Sequence, residues 1–185
     1  MGVRILGIDP GTVSCGYAII DVKEHQPKVK MADRHSVSEY VKVTERIWRI
    51  HSYINEFVFR AYMPDLVIIE EPLFGGGGGG KGHIASSRVA NVVGALICAC
   101  RISHYTKEAY APPIEKIAPN TVKKYVTGNG RATKLEVRKH LKSSGHYVPA
   151  GPLDISDAIA VALCYEKFDS YFEFLAREHQ EKYAE

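Results

Sequence analysis

Four carboxylates carry the chemistry this chain could do: Asp9, Glu70, Asp154 and Asp157. Asp9 closes the run Arg4-Ile5-Leu6-Gly7-Ile8 just before Pro10-Gly11, and Glu70 closes Leu66-Val67-Ile68-Ile69 just before Glu71-Pro72. Short apolar runs ended by a turn read as strands buried on both faces. An ionised carboxylate at such a strand end is costly unless a cation or hydrogen-bond donors meet it. Asp154 and Asp157 are three apart, so they share one face of a first helical turn, where the helix dipole favours negative charge. Alone, that last pair reads equally well as ordinary helix-start acids. Four acids from distant parts of the chain read instead as a site for hard cations, Mg²⁺ or Mn²⁺ rather than zinc. Two such ions about 3.5–4 Å apart can activate a water and stabilise the leaving oxygen of a phosphodiester. Glu71 leaves the second position open by one residue; strand alternation turns only one of the pair toward the site, and Glu70 is the preferred one.

The elements that must position these acids can be read from periodicity and turn chemistry. Gly16 to Asp21 makes a hairpin with the first strand, and a weaker third strand spans Val29 to Val37. Val43, Ile47, Ile50, Ile54 and Phe57 fall on one face of a helix that ends before Pro64, with Trp48 beside that stripe and expected in the core. Ile84 to Arg101 reads as a helix apolar on most faces, followed by a short strand over Ile114 to Ala118. Asn120 can cap a helix running to Gly128, and Thr133-Lys-Leu-Glu136 is a capping-box pattern. Pro152 and Leu153 introduce the helix bearing the aspartate pair. This order predicts an α/β fold in which an antiparallel hairpin joins parallel strands and helices cover both faces. The 185 residues fit a single domain, with 168–185 as an additional C-terminal helix.

Net charge is only +3, yet eight of the 24 Lys and Arg residues lie between Lys116 and Lys142 against one acid, Glu136. A polyanion partner accounts for such a cluster, with Lys123, Arg131 and Lys134 as chief backbone contacts. The uncharged stretch Val89 to Cys100 is about half a bilayer span, so it reads as a buried or interface helix rather than a membrane segment. Gly94 and Ala95 within it would permit a second copy to approach closely, which favours a homodimer. The chain reads straight into its first strand, so no leader is expected, and Cys15, Cys98, Cys100 and Cys164 lack CxxC spacing; free thiols in a reducing cytoplasm are expected. Phe74 and Lys81 bracket six glycines, Gly75 to Gly80, which reads as a mobile loop placed to meet DNA.

Gly7-Ile8-Asp9-Pro10-Gly11, Ile68-Ile69-Glu70 and Asp154-Ile-Ser-Asp157-Ala158-Ile159-Ala160 resemble, in order and spacing, the three acidic motifs of RuvC-type Holliday junction resolvases over about residues 3 to 165. The resemblance implies a ribonuclease H-like mixed sheet, a homodimer, two Mg²⁺ or Mn²⁺ ions per active site, and cutting of two opposed strands of a four-way DNA junction. Carried over by position, Asp9, Glu70, Asp154 and Asp157 are the metal-binding tetrad. Lys123 and Lys134 match family lysines near the site that contact DNA, and Phe74 matches an aromatic that stacks on bases. The glycine run, a longer stretch from Ser103 to Pro113 and the tail after Lys167 depart from the bacterial pattern and suggest a divergent viral or organellar member.

Rival readings are weaker. Gly75 to Lys81 almost spells a nucleotide-binding P-loop, but Gly82 stands where a Ser or Thr should bind Mg²⁺, so no nucleotide cofactor is expected. Asp9-Pro-Gly-Thr resembles the phosphate loop of actin-like ATPases, which need two such domains. A non-catalytic branched-DNA-binding protein would need only the basic segment, and a related nuclease could act on other branched DNA or RNA.

Overall fold

In the computed structural model, β1 (Val3–Asp9) alternates its side chains between two cores, Val3 and Ile5 to one side and Leu6 and Ile8 to the other, all buried. A strand clothed on both faces needs an apolar side chain at nearly every position, which is why the run is continuous. The structure describes residues 2–72, 81–102 and 112–168, the side chains of 81–83 and 102 excepted. β2 (Ser14–Lys23) and β3 (Gln26–Ser36) extend β1 as an antiparallel hairpin, while β4 (Leu66–Glu70) and β5 (Ile114–Ile117) add in parallel on its other side. The sheet order is β3-β2-β1-β4-β5.

Helices α1 (Val43–Tyr53) and α3 (Lys81–Ile102) cover the Leu6 and Ile8 face, and α4 (Pro119–Thr127), α5 (Lys134–Ser143) and α6 (Leu153–Leu163) cover the Ile5 face. The expected architecture, with helices on both faces of a mixed sheet, is what the chain forms. The helix bearing the uncharged stretch is longer than that stretch, 22 residues, and buries Val92, Val93, Leu96, Ala99 and Cys100 in the protein.

Three local expectations need correction. A wide π-helical turn, Ile54–Phe59, succeeds α1 before the short α2 (Arg60–Tyr62). The wider turn rotates the residues beyond Tyr53 about the helix axis, so Val58 and Phe59 enter the core and Phe57 is left 62% exposed. Trp48 is 61% exposed rather than in the core, because it sits next to the stripe formed by Ile47 and Ile50 and not on it. The cap of α4 is Ala118, not Asn120, since Pro119 takes the first helical position, where its missing N–H costs nothing. Gly128 ends that helix in the left-handed conformation, and the Thr133–Glu136 capping box forms as expected. Beyond Phe168 the expected C-terminal helix lies outside the described residues, as do Phe74 and the glycine run.

The helix α6 lies unusually close to the sheet because two glycines allow it. A Cβ on Gly7 would run into the α6 backbone at Ala162 N and Ala158 O, and one on Gly16 would overlap the Asp154 carbonyl oxygen. Removing side chains at these two points lets α6 settle onto the sheet, its start over Gly16 of β2 and its middle and end over Gly7 of β1.

Candidate active site

Register and alternation bring the two strand acids together. Ile8 of β1 pairs with Ile69 of β4, so Asp9 and Glu70 are the next neighbours along adjacent parallel strands. Ile8 and Ile69 face the α1 and α3 side, hence Asp9 and Glu70 face α6. Glu71 is turned elsewhere and pairs with Lys116 at 2.7 Å.

The first turn of α6 supplies the other two. Carboxylate oxygens of Asp9, Asp154 and Asp157 all lie within 4.8 Å of one another. Glu70 lies just outside that trio, near enough for the charges of Asp9 and Asp157 to act on it. Ser14, at the start of β2, donates its hydroxyl to Asp154 Oδ2 at 2.7 Å, and Arg34 of β3 reaches the same oxygen at 4.0 Å. Lys134, the first residue of α5, places Nζ 2.5 Å from Asp157 Oδ2 and 3.5 Å from both Asp9 Oδ2 and Asp154 Oδ1. The contact with Asp157 is a close ion pair, and that oxygen is shut off from water.

Crowded, half-dry carboxylates resist ionisation. Burial raises the Asp9 carboxyl to about 7, with Asp157 and Asp154 adding to the rise and Lys134 opposing it. Burial likewise raises Glu70 to about 8, helped by Asp9 and Asp157 and opposed by Lys134 and Lys123. Asp157 is raised by burial against the pull of Lys134. For Lys134 burial works the other way, but Asp9, Asp157 and Asp154 outweigh it and the ammonium is held more firmly protonated than usual. Acids kept at this cost need a strong cation. An all-oxygen donor set of this kind fits a hard divalent ion and not a soft one.

Of the basic residues singled out, Lys134 is in the centre and Lys123, on α4, is near enough for its charge to favour ionised Glu70 and Asp157. Arg131 is exposed in the loop before α5, where its backbone N–H donates to Asn129 Oδ1 at 3.0 Å; no ion pair joins it to the acids among the described residues. Phe74 lies outside the described residues, and Lys81 opens α3 with its side chain outside them. Ser14 and Arg34 escaped sequence reasoning. Nothing local marks them, because their link to Asp154 depends on how β2, β3 and α6 pack.

The protein-family model described as crossover junction endodeoxyribonuclease RuvC matches residues 5–165. Crossover junction endodeoxyribonuclease RuvC of Caldicellulosiruptor saccharolyticus is 32% identical over 165 residues, which cover 88% of this chain and 92% of that protein. Its counterpart in Gloeobacter violaceus is 33% identical over 165 residues, 88% of this chain and 87% of that one. Among solved structures, Thermus thermophilus RuvC in complex with Holliday junction substrate superposes with a TM-score of 0.73 at 25% identity, over 90% of this chain and 94% of its own. A yeast mitochondrial Holliday junction resolvase shares the fold, with a TM-score of 0.63 at 12% identity over 95% of this chain and 84% of its own. With a family match running almost end to end and relatives a third identical over most of their length, this chain belongs to the RuvC family of crossover junction endodeoxyribonucleases.

Proposed function

We propose that this protein is a structure-selective endonuclease that resolves four-way DNA junctions by divalent-metal-dependent phosphodiester hydrolysis, with Asp9, Glu70, Asp154 and Asp157 as the metal ligands. The observation that carries the reading is the convergence of three carboxylates within 4.8 Å, with Glu70 beside them, at the C-terminal ends of two parallel strands. Bound there, a pair of Mg²⁺ or Mn²⁺ ions would supply an activated water and neutralise charge developing on the leaving oxygen. Ser14 fixes the rotamer of Asp154, and the Thr133–Glu136 box holds the start of α5 so that Lys134 projects into the centre. Cutting of labelled four-way, three-way and linear DNA, with Mg²⁺ and with chelator, tests the proposal. Metal-dependent paired cuts in the four-way junction support it. Junction binding with no cutting in any divalent metal would favour a non-catalytic branched-DNA-binding protein.

The backbone of the junction would run along the basic segment. Lys123, next to the acids, and Arg131, exposed in the neighbouring loop, supply positive charge on the approach to the site. Lys123→Ala should reduce the slope of log binding constant against log salt by about 0.9 whatever the DNA sequence, the loss of one phosphate contact. An unchanged slope would remove Lys123 from the interface.

Two opposed cuts need two centres, and a twofold homodimer supplies them. The face of α3 turned away from the core exposes Ser87, Asn91, Gly94 and Cys98, and nothing lies within 4 Å of where a Gly94 Cβ would be. Small residues along such a face let a second helix come close. Gly94→Arg should convert a dimer, read by light scattering at micromolar concentration, into a folded monomer that binds junctions more weakly and does not cut both strands. A wild-type monomer in the same measurement would overturn the dimer.

A further inference from the structure

The Lys134 ammonium does more than sit near the acids: it touches all three members of the carboxylate trio. Its distances to Asp157, Asp9 and Asp154 are 2.5, 3.5 and 3.5 Å, and the carboxylate oxygens of those residues lie within 4.8 Å of one another. A point that close to three adjacent carboxylates is where a cation bridging them must stand. Mg²⁺ needs its oxygens at about 2.0–2.1 Å, so an ion bridging the trio would fall within a few ångströms of Nζ. An ammonium and a metal ion seated at that one point would overlap as well as repel, so only one of them can occupy it at a time.

We infer that Lys134 and a divalent ion compete for the same three carboxylates, so that Lys134 is a built-in counter-cation which metal must displace. The inference rests on the metal-site reading above and deepens it. The chain is suited to the exchange. The side chain of Lys134 is 50% exposed and has a flexible four-carbon stem, while its backbone is fixed at the first position of α5 by the capping box. The ammonium can therefore swing outward without any movement of the helix. Once outside, it is a free positive charge beside Lys123 at the mouth of the site, where a DNA phosphate can take it. Metal loading and phosphate contact then favour each other: a metal ion releases the ammonium for phosphate, and a phosphate that holds the ammonium clears the trio for metal. By linkage the two effects are equal in size. A protein with neither ligand keeps its acids paired, and Lys134 is a positioning residue that weakens metal binding until DNA draws the ammonium away.

The test is Mn²⁺ binding to the whole chain without DNA, by calorimetry at one pH, for wild type, Lys134→Met and Lys134→Arg. Methionine keeps the length and volume of the stem and removes the charge. Lys134→Met should bind Mn²⁺ roughly tenfold more tightly or better, since an attractive competitor has gone, and Lys134→Arg should stay near wild type. Equal or weaker binding by Lys134→Met, with wild type binding normally, overturns the inference. Failure of the wild type to bind Mn²⁺ at millimolar concentration overturns the metal-site reading beneath it. A second measurement needs no charge-removing variant. In wild type labelled at lysine nitrogen, the Lys134 ammonium, assigned by its loss in Lys134→Arg, should give an immobilised side-chain signal in chelator and take on the mobility of surface lysines when Mg²⁺ is added. An unchanged signal at saturating Mg²⁺ would equally defeat the proposal.

Discussion

Asp9→Asn should lower junction cutting by about three orders of magnitude or more, the loss of roughly 4 kcal/mol of transition-state stabilisation when a metal ligand goes. The same substitution should make the protein more stable in chelator. Burial holds the Asp9 carboxyl at about 7, far above its ordinary 3.8. A carboxyl whose folded pKa is raised costs nothing below its unfolded pKa, and the penalty grows as pH rises toward the folded value. For Asp9 that window runs from about pH 4 to 7, and above it the wild type carries the whole penalty. Asparagine never ionises. At pH 8 in chelator Asp9→Asn should therefore exceed wild type by roughly 1–3 kcal/mol, the partner Lys134 taking back part of the gain, and the difference should vanish toward pH 4. Millimolar Mg²⁺ should reverse the order, because only the wild type gains binding energy from the ion. Glu70, raised to about 8, should behave in the same way as Glu70→Gln, with its window extended upward by about one pH unit. Thermal unfolding at pH 5 and 8, with and without Mg²⁺, separates these outcomes. If Asp9→Asn retains more than about a tenth of the cutting rate, Asp9 is not a ligand.

That the acids could be read from sequence and their surroundings could not has a physical reason. Asp9 and Glu70 announce themselves because each interrupts an apolar run where solvation energy forbids a lone charge, and that argument needs no third dimension. Asp154 and Asp157 add helical spacing, again a local property. Glu70 over Glu71 comes from strand alternation, and Lys116 takes the rejected acid at 2.7 Å. The seat of Lys134 is different: the basic segment and the family resemblance place it near the site, but its contact with three acids depends on how α5 meets α6. Ser14 and Arg34 are further still from legibility. Ser14 pairs with Ser36 across the hairpin and reaches a residue 140 positions away, a geometry that only the assembled sheet and α6 create. The errors have local causes too. Helical periodicity assumes 3.6 residues per turn throughout, so a single π turn after Tyr53 is enough to turn Phe57 outward and bring Val58 and Phe59 in.

Gly7 shows how a residue with no side chain can govern the site. A methyl group there would meet Ala158 O and Ala162 Cβ at 2.6 Å and press on Ala162 N as well. Backbone atoms cannot step aside as a flexible side chain can, so in Gly7→Ala either β1 bends or α6 lifts by roughly an ångström to reach ordinary contact distance. Both elements are fully buried at this point, β1 between two cores and α6 against it, and overpacking of this sort costs about 3 kcal/mol. The consequence for cutting is larger than for folding. Asp154 and Asp157 ride on the first turn of α6 while Asp9 ends β1, so lifting the helix pulls two of the three carboxylates from the third. A misplacement of about 1 Å in catalytic groups is worth around 10²-fold in rate. Gly7→Ala should thus fold with a lowered melting temperature, bind junction DNA through an intact basic segment, and cut it about a hundredfold more slowly. Mg²⁺ should stabilise it much less than it stabilises wild type. Stability within about 0.5 kcal/mol of wild type would mean that α6 does not approach β1 as closely as the packing requires.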